Sequence, residues 1–95
     1  MDLRNSTPQQ QLDRELRRWL RLDEDERRQF ECELELLIAS NNRMVASLAL
    51  ALCDLLATPR LMVLAARARS RFSLDERRAI GHVVERALRG LASAA

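Results

Sequence analysis

One histidine, two cysteines, a run of acids and a cluster of arginines are the side chains from which this 95-residue chain could build chemistry. His82 stands three positions before Glu85, which puts both on one helix face, where an imidazole beside a carboxylate can act as a base or hold a metal. It has no companion nucleophile, and acid–base or nucleophilic catalysis needs several polar groups converging in a pocket. No catalytic residue is assigned, and the chain is expected not to be an enzyme. Cys32 and Cys53 lie 21 positions apart without CxxC spacing or companion histidines, which matches no zinc pattern. Both are expected to be buried thiols. The acids Asp23, Glu24, Asp25, Glu26, Glu31, Glu33 and Glu35 lack the glycine turn of a calcium loop. They read as a complement to a helix dipole followed by a solvated face that pairs with arginines of the preceding helix. No metal and no cofactor are expected.

The arginines are the sharper feature. Every basic residue is Arg and none is Lys, which fits either a GC-rich coding sequence or a surface built for bidentate carboxylate or phosphate contacts. Net charge is only +2, but residues 48–95 carry eight Arg against four acids, while residues 1–47 carry eight against ten. The second half is thus positive by four and the first negative by two. Arg67, Arg69, Arg71, Arg77 and Arg78 fall within twelve positions, with Arg60 shortly before, and together they form a candidate patch for an anionic partner. Phe72 is the one aromatic among them, so base stacking has little to work with.

The elements that must position these groups are helices. Strand-forming residues are few and Ala, Leu, Arg and Glu dominate, all of which lose little side-chain freedom in a helix. Thr7-Pro8-Gln9-Gln10 is a capping box with proline at the first helical position, opening a helix over residues 8–21 with an apolar stripe of Leu12, Leu16, Trp19 and Leu20. Asp23 caps a second helix that buries Phe30, Leu34, Leu37 and Ile38. Ser40-Asn41-Asn42 could end it, yet the apolar spacing continues in phase through Val45, Leu48, Leu52 and Leu55, which favours one unbroken helix of about 34 residues. Thr58-Pro59 is a boundary, because the residue before proline is pushed out of the helical region. A third helix follows over residues 59–71. Ser73-Leu74-Asp75-Glu76 is a second full capping box, opening a last helix with Ile80, Val83, Val84, Ala87, Leu88 and Leu91 facing inward. The openings at Asp23 and Ser73 resemble each other, which shared helix-start grammar explains as well as a duplication. The expected fold is all-α: a single four-helix domain with a long second helix, a flexible start over residues 1–7 and a frayed end over 92–95.

Met44 to Cys53 offers apolar or small side chains on nearly every face, and a helix of that kind must be surrounded. Three further helices of a short chain cannot cover it, so a helical-bundle homodimer is expected. Val45, Leu48, Leu52, Leu55, Leu61 and Leu64 are the candidate interface with that second copy or with a different protein. The most apolar stretch is too short and too charged to span a bilayer, and no signal peptide is recognised, so no membrane partner and a cytoplasmic location are expected. Leu74 to Gly81, with Val83-Val84-Glu85 and Leu88-Arg89-Gly90, resembles the helix that precedes the helix-turn-helix in Trp-repressor-like regulators. The resemblance stops before the DNA-reading helices and assigns no family. The expected function is that of a regulatory or adaptor protein acting by protein–protein binding. The alternative is a nucleic-acid-binding regulator that uses the Arg patch.

Overall fold

Local side-chain hydrogen bonds mark where each helix begins. In the computed structural model, which describes residues 7–94, the Thr7 hydroxyl accepts the Gln10 N–H at 3.1 Å, and the Gln10 side chain accepts the Thr7 N–H at 3.0 Å. Helix α1 (Pro8–Arg21) follows from that box. Asp23 and Glu26 repeat it at 2.8 and 3.0 Å to open α2 (Glu24–Ile38). Asn42 takes the Met44 and Val45 N–H groups at the start of α3 (Arg43–Leu56), and Thr58 takes that of Leu61 at the start of α4 (Pro59–Ala68). A 3₁₀ turn (Arg69–Arg71) leads to α5 (Leu74–Ala94), opened by reciprocal bonds between Ser73 and Glu76 at 3.1 and 2.9 Å. Each cap satisfies a backbone donor that the helix itself leaves open.

The described residues are all helical apart from short connections, and the all-α expectation holds. The helix count and the long second helix do not. Among the described residues there are five α-helices, and α2 ends at Ile38. Ala39 and Ser40 turn the chain back through hydrogen bonds to Leu36 and Leu37 carbonyls, and the Ser40 hydroxyl accepts the Asn42 N–H at 3.1 Å. These side chains compete for backbone groups and favour a turn over helix continuation. Packing gives the larger reason. A continuous helix of 34 residues would be about 50 Å long, whereas the molecule measures 32 × 28 × 27 Å. Breaking at 39–42 folds α3 back onto α2, so each covers the apolar side of the other.

Helix α3 is the centre of the molecule and packs against α1, α2, α4 and α5. Leu50, Cys53 and Ala46 are fully buried on it, and Ala49, Ala51 and Leu52 nearly so. The other helices contribute Leu12, Phe30, Leu34, Ile38, Leu61, Ala65, Ile80 and Ala87 to the same core, and Phe72 joins it from the connection before α5. Trp19 stands edge-on to Phe30 with ring centroids 5.5 Å apart, closing the α1–α2 corner. Four expected inward residues are exposed instead: Leu20 at 71%, Leu88 at 53%, Leu91 at 50% and Leu37 at 42%. They continue helical stripes past the point where neighbouring helices cover them. Cys32 is also exposed, on the side of α2 away from Phe30 and Leu34, so only Cys53 is a buried thiol. Among the described residues no helix is long and apolar enough to cross a membrane. The expectations for a flexible start and frayed end rest on residues that, apart from Thr7 and the backbone of 92–94, lie outside those described.

Helix α3 ends on Ala57 in the left-handed conformation, at φ 50° and ψ 33°. Glycine adopts that geometry without the Cβ clash that alanine carries. Ala57→Gly is expected to raise the free energy of unfolding by about 0.5 to 1 kcal/mol. Asn42→Ala is expected to lower it by about 1 kcal/mol through loss of the α3 cap. Urea unfolding followed by circular dichroism measures both, and an unchanged midpoint for Asn42→Ala would show that this cap does not hold the start of α3.

Candidate functional site

Because α3 is apolar almost all round, its edge remains apolar wherever a neighbouring helix falls short of covering it. That happens in its first two turns. Between α1, α2 and α3 lies a cleft of ≈ 310 Å³ walled by Leu12, Phe30, Leu34, Val45, Leu48 and Leu52, with Leu37 and Met44 at its mouth. Its size falls at the lower end of the clefts that take a ligand, roughly 300 to 1,000 Å³. Met44 is 60% exposed and Leu37 42%, which is a large apolar exposure for two neighbouring side chains. The polar rim consists of Gln11, Glu15, Arg18, Glu33 and Asn42. Met44 and Leu48 also border a smaller cleft of ≈ 260 Å³ on the adjacent flank of α3, closed by Ala79, Ile80 and Val83 of α5.

Arg18 shapes one end of the main cleft. Its guanidinium lies 5.2 Å above the Phe30 ring and is shared between Glu15 at 3.4 Å and Glu33 at 3.7 Å. One side chain thus ties α1 to α2 across a buried aromatic face, a placement favoured by ring quadrupole and carboxylates together. Behind it, Arg27 covers Trp19 at 5.0 Å and donates Nε–H to the Trp19 carbonyl.

The residues expected at an interface are divided by this arrangement. Val45 and Leu48 are half-buried walls of the cleft, and Leu52 lies at its floor with 5% exposure. Leu61 is fully buried in the chain's own core and is not presented at the surface. Leu55 and Leu64 are half-buried; Leu64 borders a shallow depression with Glu35, Arg60, Val63 and Arg67. Sequence periodicity marked all six as apolar, but it could not say which of them α4 and α5 cover. Met44 and Leu37 were missed as mouth residues, although the all-round apolar character of α3 was the signal that could have found Met44.

The arginine patch is likewise divided. Arg60 is bound to Glu35 at 3.2 Å, and Arg69 is held by both oxygens of Asp54 at 2.7 and 3.5 Å. Arg67, Arg71, Arg77 and Arg78 are exposed, and none has a carboxylate partner among the described residues. Arg43, which the sequence did not single out, stands beside them. It forks onto Glu76 at 2.8 and 2.9 Å, donates to the Arg71 carbonyl at 3.2 Å and stacks 4.7 Å above Phe72. Glu76 therefore serves two structures at once, as the partner of Arg43 and as the third residue of the Ser73 cap. His82 is exposed on α5 without a hydrogen-bond partner, and no three His, Cys, Asp or Glu side chains converge as a metal site among the described residues.

With this geometry in place, no known protein family, curated protein or solved structure matches the chain. What it does must be argued from the site itself.

Two side chains here carry titration consequences. The hydrogen bond from Arg43, and then that from the Ser73 backbone, lower the Glu76 carboxyl from 4.5 to about 2. A carboxyl depressed by folding contributes stability that is present above its unfolded value and lost as pH falls through its folded one. Glu76→Gln keeps a cap acceptor but removes the charge, so its melting temperature is expected to lie below that of the wild type near neutral pH. The gap should close as pH falls from about 4.5 to about 2, and a pH-independent gap would locate the effect in packing instead. Burial, and then the neighbouring Asp54 charge, push the Cys53 thiol up to about 12. Titration of native protein with a thiol reagent is expected to modify Cys32 promptly and Cys53 only on unfolding.

Proposed function

We propose that this chain is a regulatory or adaptor protein without catalytic activity, acting by protein–protein binding, and that a helix of the partner docks in the cleft between α1, α2 and α3. The observation that carries this reading is the exposure of Met44 and Leu37 at the mouth of a cleft whose walls are otherwise apolar. An amphipathic helix laid in such a groove buries anchors at i, i+3 or i+4, and i+7, and each fully buried apolar side chain contributes roughly 1.5 to 3 kcal/mol before ordering costs. Methionine at the mouth suits this role because its unbranched, polarisable side chain adapts to differently shaped anchors. The expected homodimer would compete for the same wall, since Val45 and Leu48 face the cleft.

The test is titration of the full chain with a leucine-anchored amphipathic helical peptide, read by Trp19 fluorescence and by NMR shifts. Binding is expected to move the resonances of Leu37, Met44, Val45 and Leu48, and Met44→Glu is expected to weaken it at least tenfold. Binding untouched by Met44→Glu would remove the cleft from the account. Sedimentation in parallel shows whether a second copy already occupies it, since Met44→Glu would then convert dimer to monomer.

A second reading rests on four exposed arginines, Arg67, Arg71, Arg77 and Arg78, that have no carboxylate partner among the described residues: a nucleic-acid-binding regulator gripping the phosphate backbone. Anisotropy of labelled duplex DNA and RNA at ~50 and ~200 mM salt decides it, because phosphate-dominated binding weakens steeply over that range. Salt-sensitive binding lost in the Arg67→Ala, Arg71→Ala double variant would favour this reading, and no binding at low salt would dismiss it.

A further inference from the structure

The first two turns of α3 form a ridge with a cleft on each flank. Met44 and Leu48 border both clefts. Val45, Ala49 and Leu52 border only the ≈ 310 Å³ cleft towards α1 and α2, and Ser47 and Ala51 only the ≈ 260 Å³ cleft towards α5. The ridge and the larger cleft are therefore adjacent parts of one apolar surface, one raised and the other recessed. Met44, at 60% exposure, is the raised part.

Charge on this face is compensated within the chain. The charged residues that border the two clefts are Glu15, Arg18, Glu33 and Arg43. Arg18 pairs with both Glu15 and Glu33, and Arg43 with Glu76. Arg14, Arg21, Arg67, Arg71, Arg77 and Arg78 have no carboxylate partner among the described residues, and they border neither cleft.

We propose that the resident occupant of the cleft is a second copy of this chain, which seats its own Met44–Leu48 ridge there. The proposal rests on the cleft reading above and names what fills the site before a partner helix does. An isologous contact sets one surface patch against itself across a twofold axis. Such a patch must supply both knob and hole, and it must not bring an unpaired charge against its own image. Ridge and cleft supply the two shapes side by side. An axis running alongside α3, between them, places the ridge of each copy in the cleft of the other, in the manner of ridges packed into grooves between helices. A partner selected by its charge needs a free counter-charge at the rim, and each rim charge here already has a partner. Two carboxylates and two guanidinium groups also leave the rim without a net charge to set copy against copy. Dimer formation shuts the cleft, so a partner helix binds the monomer and splits the dimer.

The test is sedimentation equilibrium of the full chain over a range of concentrations, joined to isotope-filtered NMR on a mixture of labelled and unlabelled copies. A dimer is expected, with contacts between copies from the Met44 methyl group to Leu12 and Val45. Met44→Glu is expected to give monomer, whereas Arg14→Ala combined with Arg21→Ala, off this face, leaves the dimer intact. Circular dichroism checks that each variant keeps its helix content. The leucine-anchored peptide should split the dimer. Its apparent affinity should fall at least tenfold when protein is raised to ~100 times the dimer dissociation constant, because the competent monomer is then a small fraction. A chain that is monomeric at all concentrations, yet binds the peptide through Met44, overturns this inference and leaves the cleft reading standing. A dimer that survives Met44→Glu and shows no contacts between copies at Met44 also overturns it, since its interface lies elsewhere. A dimer lost in Met44→Glu that the peptide neither binds nor splits upholds the second copy and removes the partner helix.

Discussion

Burial of α3 is the constraint on which the remaining structure depends. A helix with Ala46, Ala49, Leu50, Ala51, Leu52 and Cys53 all within 5% of complete burial needs neighbours on nearly every side. In a chain of this length each of the other four helices has to supply one. The alanines let those neighbours approach closely, and Leu50 and Leu61 fill the space between. The turn at residues 39–42 follows from the same demand. Without it the apolar sides of α2 and α3 would lie end to end and share no partner. Glycine plays little part, since neither Gly81 nor Gly90 has a neighbour that a Cβ would meet.

With the core apolar throughout, polar side chains set the ends and the angles of the helices. No polar or charged residue is buried among those described. Caps at Thr7, Asp23, Asn42, Thr58 and Ser73 give each α-helix a defined start, at a contribution of about 1 kcal/mol each. Ion pairs between helices then fix how those starts lie together. Arg43 with Glu76 fastens α3 to α5, Arg69 with Asp54 fastens the 3₁₀ turn to α3, Arg60 with Glu35 fastens α4 to α2, and Arg18 with Glu33 fastens α2 to α1. Exposed pairs of this kind contribute little energy individually. Their effect here is geometric, and the Arg43 fork over Phe72 joins it to ring stacking at a junction where three elements meet.

What the sequence revealed and what it hid divide along the same line. Capping boxes are local chemistry, a matter of residue type within four positions, and the starts at Pro8, Glu24, Pro59 and Leu74 were legible for that reason. The core residues Leu12, Phe30, Leu34, Ile80 and Ala87 were legible from periodicity. Periodicity also misled: the apolar positions run in phase across Ser40-Asn41-Asn42 and outweighed the local capping signal of those residues, which open the turn that folds α3 back. Leu20, Leu88 and Leu91 hold stripe positions yet stand exposed, because coverage depends on where a neighbouring helix ends. The same limit governs the candidate sites. An Arg cluster is visible in sequence, but the capture of Arg60 and Arg69 by acids 25 and 15 positions away is not. Arg14, Arg17, Arg18 and Arg21, by contrast, stand at i, i+3, i+4 and i+7, so their sharing of one outer face of α1 was legible from spacing alone.

A small chain built this way leaves its apolar cleft open at some cost. At 95 residues a domain buries only about 60 to 65% of the surface its unfolded chain exposes, so exposed Met44 and Leu37 forgo stabilisation that the core can use. An occupant that binds only the folded form restores it by mass action, about 2.7 kcal/mol at a hundredfold excess over the dissociation constant. Arg18 rims the cleft, lies over Phe30 and joins α1 to α2 through Glu15 and Glu33. Any occupant that displaced its guanidinium from Glu33 would therefore act on a contact between two helices of the fold, and its binding would be coupled to how firmly the α1–α2 corner is held.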